Sequence, residues 1–220
     1  GSAWATLVSQ AIALLAMALY LRHKRHVLWL GRADLALFKP DWTIVRTLLA
    51  KGIPMGLQMV LISLAMIMMM SLVNSYGTDT AAAFGASMQL WTYVQMPAMA
   101  IGAACSTMAA QNVGAGLWPR VAATTRYGVV LNFLLTGALI VPIIVLDRWT
   151  LALFLPQGSA ALDIARHLTH SAVWSFLFFG VNFVVSGVVR STGAVMAPLL
   201  ILGLSMWGIR VPVASALQPV

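Results

Sequence analysis

Apolar residues run along this chain in long blocks, not in the alternating or every-third-and-fourth rhythm of a soluble fold. Blocks with almost no internal charge cover residues 3–21, 52–73, 82–110, 127–146, 171–189 and 198–217. Each is close to or above the roughly 20 residues that a helix needs to cross about 30 Å of hydrocarbon. The pattern predicts an all-α membrane protein, a polytopic transmembrane helix bundle with six apolar segments. Most connections are too short to hold a folded soluble insert, so the segments are expected to form one compact unit.

The first connection, 22–51, carries a pattern of its own. Asp41 follows Pro40 and opens a stretch in which Trp42, Val45, Leu48 and Leu49 recur at helical spacing, with Arg46 and Lys51 off that stripe, before Gly52. This predicts a short interfacial helix, interrupted at Gly52, within a cytoplasmic linker. Trp29 and Trp42 would sit at headgroup level, with Arg22–His26 facing anionic lipid headgroups. The competing reading is a solvated loop with a basic stop signal.

Composition agrees with a lipid solvent: 61% of residues are hydrophobic, 8% are charged and mean hydropathy is +0.92. A net charge of +8 and a pI near 10.6 raise nucleic acid as a partner, and the position of the charges argues against it. Seven basic residues (Arg22, Lys24, Arg25, Arg32, Lys39, Arg46 and Lys51) fall in the first connection and none in 74–80; Arg120 and Arg126 follow in 111–126. That alternation follows the positive-inside rule and predicts that 22–51 and 111–126 are cytoplasmic, with 74–80 and 147–166 outside. The lipid bilayer is the expected partner and nucleic acid is not. The chain lacks a signal-peptide pattern and reads as a piece of a longer protein, with Gly1-Ser2 either an added dipeptide or the native start of a helix. The expected location is the cell inner membrane, as a multi-pass protein.

Little enzymatic chemistry is visible, and no catalytic residue or cofactor is expected. Asp163, His167 and His170 share a possible helical face, but three groups at an interface make a poor metal site, and no metal is expected. Cys105 stands alone in an apolar segment, where a thiol is a small hydrophobe. The glycine-rich run at 111–116 lacks the lysine and hydroxyl of a phosphate loop. Small residues recur at spacings of four at Gly52 and Gly56, at Ala98, Gly102 and Ser106, and at Gly193 and Ala197, which predicts close helix packing. Pro54 and Pro97 each remove a helical hydrogen bond and are candidate hinges.

Uncharged polarity at membrane depth is the more informative signal. Gln58, Gln89, Tyr93, Gln95, Asn132 and Asn182 lie inside apolar blocks, where each needs a partner on another helix or a wet cavity. All but Asn132 are taken as candidates for a substrate path, with interhelical hydrogen bonding as the plainer alternative. Thirteen methionines suit a surface that repacks around varied apolar ligands, although most could simply face lipid. Arg210, deep in the last block, is expected to snorkel outward past Pro212 or to face a cavity.

Three stretches resemble one known family. Ala-Ala-Gln-Asn-Val-Gly-Ala-Gly at 109–116, Lys-Gly-Ile-Pro-Met-Gly-Leu-Gln at 51–58 and Val-Val-Arg-Ser-Thr-Gly-Ala-Val at 188–195 followed by Pro198 are together similar to the multidrug and toxic compound extrusion transporters. Gln111, Asn112, Gly114, Gly116, Arg190 and Gly193 carry the likeness. It implies a parent of twelve helices in two lobes, with 1–21 as the last helix of the first lobe and 52–220 as most of the second. It implies exchange of H+ or Na+ for small lipophilic, often cationic compounds by alternating access, with the remaining first-lobe helices as partners. The second-lobe carboxylates through which some members couple fall at Ile62 and Phe179 here, so the coupling site is expected outside this chain. Alternatives are a lipid-linked precursor flippase of the same superfamily and a non-transporting membrane scaffold or assembly subunit.

Overall fold

A computed structural model describes residues 2–24, 26 and 40–216. The expectations for Gly1, Arg25, Trp29 and Leu217 lie outside the described residues. Helices account for every regular element among the described residues: α1 (Ser2–His23), α2 (Trp42–Asn74), α3 (Thr78–Gly114), α4 (Trp118–Val145), α5 (Asp147–Ala152), α6 (Ala160–Ala172), α7 (Ser175–Ser191), α8 (Met196–Gly203), a π-helical segment (Leu204–Arg210) and α9 (Val211–Ala216). They fall into two units, Gly1–Leu49 and Ala50–Val220.

The first unit holds α1 and the opening turns of α2. Large apolar side chains stay exposed all round α1, Trp4, Leu7, Ile12 and Leu15 among them, as in a helix that lipid or other helices must surround. The Asp41 carboxylate caps α2 by accepting the Thr43 N–H at 2.8 Å. The stretch from Trp42 to Lys51 is helical, as its spacing predicts, but it is not a separate helix. α2 runs unbroken through Gly52 and Pro54 to Asn74. A helical glycine costs only about 1 kcal/mol, and the one hydrogen bond lost at Pro54 does not stop a helix whose remaining length is apolar.

In the second unit α3 is the central post, packed against α4, α6 and α7. Its buried face is mostly small, with Ala83, Ala86, Ser87, Ala98, Gly102, Cys105 and Ala109 beside the larger Phe84, Leu90 and Val94. Small residues let the backbones approach: the Ser106 hydroxyl donates to the Gly187 carbonyl on α7 at 3.0 Å, and Asn132 on α4 donates to the Ala98 carbonyl at 2.9 Å. Among the described residues Gly52 and Gly56 meet no such neighbour, so the predicted small-residue face of α2 is not a packing face there. Gly193 serves a turn, with φ at 91°, instead of a helix contact.

Four helical stretches are long and apolar enough to cross a membrane: Ala3–His23, Trp42–Asn74, Trp118–Val145 and Met196–Ala216. A fifth is made by α6 and α7 taken together, bent by 50° at their junction. The expected count of six apolar segments is not confirmed, because α3 is not among them. At 37 residues α3 is the longest helix, yet alanine, glycine, serine and glutamine dilute its hydropathy because it faces protein on several sides. The block expected at 171–189 is likewise broken, with its first residues belonging to the amphipathic α6.

Candidate functional site: a pocket between α2, α7 and α8

Along α7, Phe179, Asn182, Phe183, Ser186 and Arg190 fall at i, i+3, i+4, i+7 and i+11 and so share a face. On α2, Met55, Gln58, Met59 and Ile62 do the same. These two faces, closed by Leu202 of α8, line an open pocket of about 390 Å³. A second pocket of about 280 Å³ adjoins it, sharing Gln58, Asn182, Ser186 and Leu202 and reaching Ser205 and Met206 in the π-helical segment. The Ser186 hydroxyl donates to Asn182 Oδ1 at 3.0 Å. That leaves the Asn182 N–H2 group and the whole Gln58 amide without a partner among the described residues. The walls are soft and aromatic, with Phe179 and Phe183 rings 5.8 Å apart and Met55 and Met59 opposite. The Arg190 guanidinium lies 5.9 Å over the Phe183 ring.

Two of the five predicted path residues, Gln58 and Asn182, therefore converge. The other three do not line this pocket. Gln89 donates to the Tyr93 hydroxyl at 3.4 Å along an exposed stretch of α3, and Gln95 is half-buried on the same helix. Asn132 is fully buried and structural: it bonds Ala98 and accepts from the Thr136 hydroxyl at 3.0 Å. Sequence reasoning missed Ser186, four residues after Asn182, because it searched for amides; it also did not place Arg190 in the cavity. The places where family carboxylates were expected, Ile62 and Phe179, both line the pocket, as apolar groups.

The signature residues shape turns. Past α3, the Leu117 N–H reaches the Asn112 carbonyl at 2.8 Å and the Gly116 N–H reaches Val113 at 3.0 Å, with Gly116 at φ 71° supplying the left-handed step. The Asn112 side chain donates back to the Met108 carbonyl at 2.8 Å, while Gln111 and Gly114 occupy the helix end. Gly193 closes α7 in the same way, its N–H on the Arg190 carbonyl at 3.0 Å. Neither candidate hinge interrupts its helix: α2 and α3 continue through Pro54 and Pro97. The sharp bend comes instead between α6 and α7, where neither proline nor glycine stands.

Away from the pocket, Asp147 gathers a cluster the sequence did not disclose. Its Oδ2 accepts from Arg166 Nε at 2.7 Å and lies 2.9 Å from His170 Nε2, while Oδ1 accepts the Arg148 N–H at 2.6 Å. Burial alone would push this carboxyl up, but the bonds from His170, Arg166 and Arg148 outweigh it and hold Asp147 below the usual carboxylate range. His170 thus turns to Asp147, not toward Asp163, and among the described residues no three His, Cys, Asp or Glu side chains could hold a metal. Arg210 is exposed and reaches back to Met206 Sδ at 3.5 Å instead of outward past Pro212.

Residues 54–215 match the family described as MatE. The chain is 38% identical to the probable multidrug resistance protein YoeA of Bacillus subtilis over 99% of its own length and 47% of that relative. It is 36% identical to the probable multidrug resistance protein YpnP of the same organism, over 96% of this chain and 46% of the relative. The probable multidrug resistance protein NorM of Thermotoga maritima is 24% identical, over 97% of this chain and 45% of its own. The chain spans about half the length of these relatives. No solved structure matches it. With the apolar helices, the motif-bearing turns and a match over most of its length, the chain belongs to the MatE family of multi-pass membrane proteins.

Proposed function

We propose that this chain supplies the second-lobe portion of an inner-membrane secondary active antiporter that exports lipophilic compounds in exchange for H+ or Na+ by alternating access. The observation that carries the proposal is the pocket between α2, α7 and α8. It joins uncommitted amides at membrane depth to a methionine and phenylalanine wall that can repack around ligands of different shape. The names of its relatives, probable multidrug resistance proteins, point the same way. The remaining first-lobe helices would complete the translocation path, and the basic end of α1, with Arg22, His23 and Lys24, would meet anionic headgroups.

Coupling would lie outside this chain. No carboxylate lines the pocket, and an amide can neither carry a proton near neutral pH nor balance a sodium charge. Asp79 is exposed in the first turn of α3, Asp163 is exposed on α6, and Asp147 is already matched by Arg166 and His170. The cationic preference implied by the family resemblance likewise has no acidic partner here.

Drug efflux from vesicles holding the full-length parent, driven in turn by a pH gradient and a sodium gradient, tests this. Gln58→Ala and Asn182→Ala should change drug preference or apparent affinity about tenfold, a loss of about 1.4 kcal/mol of pocket contact, with ion dependence intact. Loss of ion-driven exchange in Asp79→Asn or Asp163→Asn at normal protein abundance would place coupling inside this chain and refute the proposal.

A further inference from the structure

We propose that the pocket between α2, α7 and α8 recognises an amphiphile through an acidic group, a carboxylate or phosphate, held by Arg190. This rests on the reading of that pocket as part of a substrate path and narrows its ligand class. Arg190 stands in the last turn of α7, where an arginine would ordinarily extend past the helix end to reach water and headgroups. Here it does the opposite. Its guanidinium turns back to lie 5.9 Å from the ring centroid of Phe183, a residue two turns earlier on α7, and both side chains line the pocket. It has no ion pair and no hydrogen-bonded partner among the described residues.

An arginine drawn inward without a counter-charge presents a planar fork of donors that fits a carboxylate or phosphate with two parallel bonds. The surrounding charge agrees in sign. The Lys51 ammonium sits where a side chain on Gly193 would touch it, three residues beyond Arg190, so a second cation stands at the same end. No acidic residue lines the pocket to oppose them. Gln58 and Asn182 line the same pocket with amide hydrogens free to donate to a bound ligand, and its methionines and phenylalanines accept an acyl or aryl tail. A cationic ligand would meet the guanidinium in a medium that screens it poorly.

The test is photo-crosslinking of the full-length parent in phosphatidylcholine vesicles. The probes are a diazirine-bearing long-chain fatty acid, its methyl ester and the matching primary amine, beside phosphatidylglycerol and phosphatidylcholine carrying the same diazirine chain. Labels are mapped by mass spectrometry of the peptides holding residues 55–62 and 179–190. The acid should label these about tenfold or more over the ester and the amine. Arg190→Gln should fall to the ester's level while Arg190→Lys keeps a part. Labelling by phosphatidylglycerol over phosphatidylcholine would identify a lipid headgroup as the source of the acidic group, and labelling by the fatty acid alone a free acid. Equal labelling by all three head groups, a lead for the amine, or wild-type labelling in Arg190→Gln would overturn the proposal. Should Arg190→Gln fail to fold, the comparison of head groups on the wild type decides by itself. Gradient-driven efflux of an acidic and of a neutral lipophilic dye from the same vesicles tests the transport reading separately: export of neither, alongside acid-selective labelling, would sink that reading and leave the preference standing.

Discussion

Asp147 shows how a single side chain can be worth more than its place in a connection implies. Its side chain is 10% exposed and its two oxygens take hydrogen bonds from Arg166, His170 and the Arg148 amide. Hydrogen bonds to a charged group contribute about 1.5–3 kcal/mol, so Asp147→Asn should destabilise the second unit by an amount in that range. Because folding lowers this carboxyl, its contribution is fully present above the unfolded value of about 3.9 and is lost as pH falls through the lower folded value. Thermal unfolding of the parent in detergent at neutral pH and again near pH 3 checks both statements: the gap between wild type and variant should narrow in acid. An unchanged gap would mean that the carboxylate charge does not hold the cluster. None of this was readable from the chain, where Asp147, Arg166 and His170 stand 19 and 23 residues apart with a helix between them.

At the scale of elements, the sequence was most legible where one residue suffices to set a boundary and least where packing decides. Asp41 marked the start of α2, and the connection read at 111–126 holds the turn out of α3. The bend between α6 and α7 carried no breaker; it falls where an amphipathic helix pinned by Ser87, Ala165 and Thr169 against α3 gives way to an apolar one. The same reasoning divides the candidate site. Period alone put Gln58 and Asn182, and equally Gln89 and Tyr93, on helix faces, but only the neighbours decide which face meets a pocket. It also separates glycines that looked alike. A Cβ on Gly187 would lie 3.1 Å from the Gly102 carbonyl and 3.3 Å from Ser106 Cβ, and one on Gly180 would strike Asn132 Oδ1, whereas one on Gly52 meets nothing within 4 Å. Gly187→Ala and Gly180→Ala should each cost about 1–3 kcal/mol by forcing α7 away from α3 or α4. Gly52→Ala should be neutral or stabilise α2 by up to about 1 kcal/mol. Midpoints of thermal unfolding for the three variants decide it, and equal midpoints would show that the α3–α7 seam is not close-packed.

For the whole molecule, the charge alternation and the length of α3 combine into a claim neither makes alone. A helix of 37 residues is about 55 Å long, well beyond the roughly 30 Å of a bilayer core, so Ser75 before it and Ala115 after it must emerge on opposite sides if α3 crosses. Which end is outside is then a question of charge: 74–80 has no basic residue, whereas 111–126 has Arg120 and Arg126, and seven more precede α2's apolar length. Cytoplasmic loops collect Lys and Arg, so Ser75 should face outward and Ala115 inward. Cys105 is buried, which keeps this chain's own background low, and it is replaced by serine together with any cysteine in the rest of the parent. In that background, Ser75→Cys of the parent should react with a membrane-impermeant maleimide in intact cells, and Ala115→Cys only after permeabilisation. The reverse pattern would invert the orientation and with it the side from which the pocket's Arg190 end is reached. Labelling of both from outside would mean that α3 does not cross, and that its low hydropathy reflects a helix lying outside the membrane instead of one sheltered by its neighbours.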